Sequence, residues 1–158
     1  MILLGIDPGI ERMGYAVVDN SSTIIPLEYG LIRTDPSNGQ PERLFEIWEN
    51  LKSIIEKYKP YAILTETVFF AKNLKTANII SEVRGVIKVL SVEYGLKFYE
   101  FSPLQVKMAI SGYGKATKNQ VKKAVQLILN LKEMPDIDDV IDALAICICG
   151  SGKIKWRN

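Results

Sequence analysis

Ile2-Leu3-Leu4-Gly5-Ile6-Asp7 is apolar until its last residue, and Pro8-Gly9 then breaks the run. A short apolar stretch bounded by a turn signal reads as a buried strand, here one that ends on a carboxylate. Gly14-Tyr15-Ala16-Val17-Val18 reads as a second strand, after which Asn20-Ser21-Ser22 turns the chain again. A third strand is expected between Thr23 and Thr34, bulged or broken near Pro26, because proline cannot donate to a ladder. Three sequential strands with short links predict an antiparallel meander, and the rest of the chain has to be built around it.

From Glu42 to Tyr58 the period changes. Leu44, Ile47, Trp48, Leu51, Ile54, Ile55 and Tyr58 recur at intervals of three and four, which predicts an amphipathic helix stopped by Lys59-Pro60. Tyr61 to Thr65 is a short apolar strand that ends on Glu66. A helix from Leu74 to Tyr94 is expected next, closed by Gly95 as a left-handed cap, and then a strand from Lys97 to Phe101. Thr117 and Gln120 have the spacing of a capping box for a helix reaching Leu131, and a last helix covers Ile137 to Cys149. The order is three strands, helix, strand, helix, strand, then helices. With no repeat, linker or low-complexity segment, residues 1–158 read as a single mixed α/β domain.

The net charge of +2 does not announce a polyanionic partner, but its distribution is uneven. No acid occurs from Phe101 to Leu131, while Lys107, Lys115, Lys118, Lys122 and Lys123 all do; Asp136, Asp138, Asp139 and Asp142 follow. A basic stretch beside an acidic cluster suggests a polyanion held near a cation site. Lys118 and Lys122 fall on one helix face, and Lys115 follows a Gly112-Tyr113-Gly114 loop where backbone can approach a phosphate. A solvated helix face is the commoner meaning of such lysines. The absence of histidine excludes imidazole triads and histidine-ligated zinc, so carboxylates and lysines must carry any chemistry. Cys147 and Cys149 lie two apart in an apolar run, would point in different directions on a helix, and read as small buried residues. Met1 leads directly into a strand and no apolar stretch reaches membrane-spanning length, so a cytoplasmic protein is expected.

Asp7 and Glu66 each close a strand, and Asp139 and Asp142 share one face of the last helix. If that helix packs at the carboxyl ends of the strands, four carboxylates converge. Close carboxylates cannot all ionise without a cation, and hard ions such as Mg²⁺ or Mn²⁺ match oxygen ligands. Two such ions could activate water against a phosphodiester. Taken singly, each acid has a plainer reading: Asp7-Pro8-Gly9 as a turn former, and the helix acids as partners of the macrodipole. The long second helix has apolar residues on more than one side, which suits either a dimer seam or a helix buried under neighbours. Phe69 and Phe70 follow Glu66, and the residues alone do not choose between them.

Four ordered stretches resemble the RuvC-type Holliday-junction resolvases. They are Gly5-Ile6-Asp7-Pro8-Gly9 with Gly14-Tyr15, the run from Glu66 through Val68-Phe69-Phe70-Ala71-Lys72-Asn73, Gln105-Val106-Lys107, and Asp139-Val140-Ile141-Asp142-Ala143-Leu144-Ala145. The resemblance spans nearly the whole chain. It implies a ribonuclease H-like mixed five-stranded sheet, three antiparallel strands followed by parallel ones, flanked by helices. It also implies a homodimer that cuts four-way DNA junctions by paired nicks, with possible branch-migration partners. It puts the metal ligands at Asp7, Glu66, Asp139 and Asp142, with Mg²⁺ or Mn²⁺, two per site. Lys107 and Lys118 match basic positions near the cut and Phe69 a stacking position; Lys72, Lys115 and Lys122 complete the candidate DNA contacts. Where many relatives carry a histidine, this chain reads Cys147-Ile148-Cys149-Gly150. Asp138 competes with Asp139, although the three-residue step to Asp142 favours Asp139. The rival functions are a nuclease of the same fold acting on RNA or RNA–DNA hybrid, and a junction-binding module without catalysis. An actin-like ATPase would need a second domain that this length does not hold.

Overall fold

A computed structural model describes residues 1–67 and 74–154, apart from the side chains of residues 74 and 75. Strands β1 (Ile2–Asp7), β2 (Arg12–Asp19) and β3 (Ile25–Arg33) form the antiparallel meander. The expected irregularity is real: the β2–β3 register shifts between Val17 and Val18, which pair with Glu28 and Pro26 and leave Leu27 as the extra residue beside the proline. Helix α1 (Gln40–Tyr58) follows and ends with Lys59 in the left-handed region. Strand β4 (Ala62–Glu66) then returns parallel to β1, and β5 (Lys97–Phe101) parallel to β4. The sheet order is β3-β2-β1-β4-β5.

Between β4 and β5 runs α2 (Leu74–Glu93), closed by Gly95 at φ 64°. Three helices complete the chain: α3 (Pro103–Ser111), α4 (Lys118–Ile128) and α5 (Asp138–Lys153). Thr117 caps α4 with the expected box. Helix α3 is an element that the sequence reading did not name, though its signal was present. Ser102 and Gln105 form a second capping box, with Pro103 at the first helical position.

Alternation along the strands divides the apolar side chains into two cores, one on each sheet face. Leu4, Ile6, Val17 and Ile63 pack against Ile47, Leu51 and Ile55 of α1 and Val83, Ile87 and Leu90 of α2. Leu3, Ala16 and Leu64 face α3, α4 and the nearly all-apolar α5. Cys147 and Cys149 are buried free thiols in that second core, as expected. Helix α5 lies unusually close to the sheet because two glycines admit it. A Cβ on Gly5 would stand 2.6 Å from the Ala143 carbonyl and 2.5 Å from Cys147 Sγ, and one on Gly14 would collide with the Asp139 carbonyl. Among the described residues, no helix is long and apolar enough to cross a membrane.

Candidate active site

The parallel strands β1 and β4 are neighbours, so Asp7 and Glu66 emerge side by side at their carboxyl ends. Helix α5 crosses the same end of the sheet, with the backbone of Asp139 seated on Gly14, the residue that pairs with Asp7. The helix therefore delivers Asp139 and, one turn on, Asp142 to the strand-end acids. The four carboxylates interact electrostatically, as the sequence reading expected if the last helix packed there. Burial pushes Asp7 up to about 7, with repulsion from Asp142, Asp139 and Glu66 adding to it and Lys118 opposing. Glu66 is raised by burial and by Asp142, against the pull of Lys107. Asp142 is also raised, again chiefly by burial.

Beside these acids lies a cleft of about 220 Å³, lined by Glu66, Lys107, Lys118, Lys122, Asp138 and Asp142 among others. Lys107 enters from α3 and the other two lysines from α4. The cluster thus has an acidic floor and a basic wall, a layout that can take a cation and then an anion. As they stand, no three of these carboxylates among the described residues close tightly enough to clasp an ion. Mutual repulsion and the engagement of Asp139 by Arg12, Nη2 to Oδ2 at 2.5 Å, both act against closure. The donor set still fits a hard divalent cation. It is all oxygen, half-buried, and its four carboxylates outnumber the three lysines of the wall.

The lysines are less free than the sequence suggested. The stretch from Phe101 to Leu131 has no acid of its own, but the fold supplies two. Lys118 Nζ meets Asp138 Oδ2 at 2.9 Å, and Lys122 meets Asp136 at 3.4 Å. Lys115 is exposed on the loop before α4. Phe69 and Lys72 lie outside the described residues. Two arginines were missed. Arg12 opens β2 just past the turn that follows Asp7, and a basic residue five positions past a strand-end acid was a usable hint. Arg84 of α2 donates from Nη1 to the Glu66 carbonyl at 2.5 Å and from Nη2 to Glu100 Oε1. Nothing in the local sequence marks that role.

The sequence model described as "Crossover junction endodeoxyribonuclease RuvC" matches residues 3–150, almost the full length of the chain. The chain belongs to the RuvC family. A relative in that family, the crossover junction endodeoxyribonuclease RuvC of Caldanaerobacter subterraneus subsp. tengcongensis, is 46% identical over 150 residues, 94% of this chain and 91% of its own. Among solved structures, Thermus thermophilus RuvC matches with a TM-score of 0.88 at 32% identity, covering 96% of this chain and 93% of that one. The same RuvC in complex with a Holliday junction substrate matches with a TM-score of 0.90, again at 32% identity and the same coverage. The ribonuclease H-like fold expected from the four motifs is the fold observed. As a member of the RuvC family, the chain is a hydrolytic, metal-dependent endodeoxyribonuclease.

Proposed function

We propose that this crossover junction endonuclease holds divalent cations on Asp7, Glu66, Asp139 and Asp142 and uses them to nick paired strands of a four-way (Holliday) DNA junction. The observation that carries the ligand assignment is the state of Asp7. A carboxylate pushed to about 7 by burial among three other acids is in an environment that a divalent cation would stabilise. Mg²⁺, with Mn²⁺ as its substitute and two ions per site, supplies Lewis acidity to the scissile phosphate and lowers the pKa of the attacking water. The new bond joins the water oxygen to phosphorus, the bond from phosphorus to one sugar oxygen breaks, and that oxygen takes up a proton.

The chain's own contribution is orientation and charge. Lys107 and Lys118, on the basic wall, steady the non-bridging phosphate oxygens as negative charge builds up. Lys118 leaves Asp138 to do so, an exchange that costs little because the pair is exposed. Lys72, Lys115 and Lys122 contact flanking phosphates, and Phe69 stacks on bases at the junction centre. Symmetric nicks require two sites. Helix α2 leaves Val89 and Val92 exposed, which fits a homodimer seam along that helix. We assign the protein to the cytoplasm, where branch-migration proteins would be its partners.

The test is cleavage of a labelled four-way junction in Mg²⁺ or Mn²⁺, beside linear duplex and RNA–DNA hybrid, with Asp7→Asn as control. Paired nicks in the junction alone, absent from the variant, support the reading. Cutting of the hybrid instead would overturn the substrate, and undiminished cutting by Asp7→Asn would overturn the ligand assignment.

A further inference from the structure

The Glu66 side chain points to the α5 face of the sheet, into the cleft with Lys107 and Asp142. Its backbone is gripped by a group that belongs to the opposite face. Arg84 lies on α2 beside Val83, which belongs to the core on that other side. Its guanidinium sends Nη1 to the Glu66 carbonyl at 2.5 Å and Nη2 to the carboxylate of Glu100. Glu100 lies on β5, one residue before Phe101, the register partner of Glu66. One half-buried side chain therefore ties together the ends of the two strands that flank the cleft.

This is an elaborate anchor for a strand end. A guanidinium only partly in water is favoured by a counter-charge, which Glu100 provides, and its planar fork can hold two acceptors in a fixed relation. β4 ends at Glu66, and the next N–H, that of Thr67, donates to the Phe101 carbonyl at 2.8 Å. With its ladder ending here, the Glu66 backbone is held by Arg84, and the direction of its side chain follows from that backbone. Removing a group that orients a metal ligand from behind typically lowers metal affinity by about 10–100-fold.

We propose that Arg84, braced by Glu100, is a positioning residue that fixes the Glu66 backbone and thereby sets the divalent-cation affinity of the site. The inference rests on Glu66 being a metal ligand, as proposed above. Arg84 reaches neither substrate nor metal; it acts only through Glu66.

The experiment is Mn²⁺ titration followed by EPR of the free ion, without DNA, on the full chain and on Glu66→Gln, Arg84→Met, Arg84→Lys and Glu100→Gln. Circular dichroism and thermal midpoints are recorded on the same samples. Arg84→Met is expected to weaken Mn²⁺ binding roughly tenfold with the native spectrum kept. Arg84→Lys should recover only part of the loss, because one ammonium cannot hold both acceptors in the same geometry. Glu100→Gln should fall between wild type and Arg84→Met. If Arg84→Met does not fold, the lysine and Glu100→Gln variants decide. Folded variants with lowered midpoints but unchanged Mn²⁺ affinity would reduce Arg84 to a structural brace and overturn the inference. Unchanged affinity in Glu66→Gln would instead overturn the ligand assignment itself. A loss in Glu66→Gln with none in the Arg84 and Glu100 variants overturns the positioning role alone.

Discussion

Arg12 Nη2 donates to Asp139 Oδ2 at 2.5 Å, so the first acid of α5 in the site already carries a counter-ion from the start of β2. Arg12 is half exposed, which makes the pair weak in free energy and easy to exchange. A cation bound at Asp139 has to displace or reorient it. Arg12→Gln should therefore tighten Mn²⁺ binding roughly threefold at low salt, with the difference shrinking as salt rises. Weaker binding in the variant would mean that Arg12 orients Asp139 instead of competing for it.

Asp138 and Asp139 are adjacent on α5 but have different surroundings. Asp138 is exposed and held below the usual carboxylate range by its bond from Lys118, whereas Asp139 adds to the repulsion on Asp7. Asp138→Asn should leave Mn²⁺ affinity within about twofold, and Asp139→Asn should lower it at least tenfold. Titration of both variants checks this, and equal losses would mean that the two acids share the ligand role.

The raised Asp7 carboxyl gives metal-free protein a pH dependence of a definite sign. Its folded value, about 7, lies above the ordinary value of 3.8, so the folded state binds the extra proton between them. Stability is therefore lost as pH rises through that window. Asp7→Asn should stabilise the metal-free protein at pH 8 and change little at pH 4. Urea midpoints in EDTA at the two pH values test the sign.

Away from the site, Glu28 on β3 accepts from Lys57 at 2.5 Å, Tyr58 at 2.6 Å and Tyr15 at 2.9 Å, bracing α1 against the meander. Those bonds hold its carboxyl down at about 2, with Lys57 the largest cause. A depressed carboxyl contributes stability above its ordinary value of 4.5, and that contribution fades as pH falls toward 2. Wild type should thus lose more stability between pH 7 and pH 3 than Glu28→Gln does, as read from denaturant midpoints.

Gly14 is the seat of α5. An added Cβ would meet the Asp139 carbonyl and, at 2.9 Å, the Val140 nitrogen, neither of which can swing away as a side chain could. Gly14→Ala should cost about 1–3 kcal/mol of stability and weaken Mn²⁺ binding together with it. Loss of stability with metal affinity intact would show that the helix can shift without moving its acids.

Much of this molecule follows from local chemistry, and local chemistry is written in the sequence. The apolar runs of β1 and β2, the period near 3.6 in α1, the Thr117–Gln120 box and the left-handed Gly95 each depend on residues a few positions apart. The four motifs carry the family for the same reason, being short and ordered. The ends of β1 and β4 marked Asp7 and Glu66 before any contact was known. What only the tertiary structure decided are relations between charges far apart in the chain. Lys118 is 20 residues from Asp138, Arg12 is 127 from Asp139, and Arg84 reaches Glu66 from 18 residues away. Their partnerships, and the shift of Asp7 to about 7, depend on distance and burial in space, which no pattern of neighbours encodes.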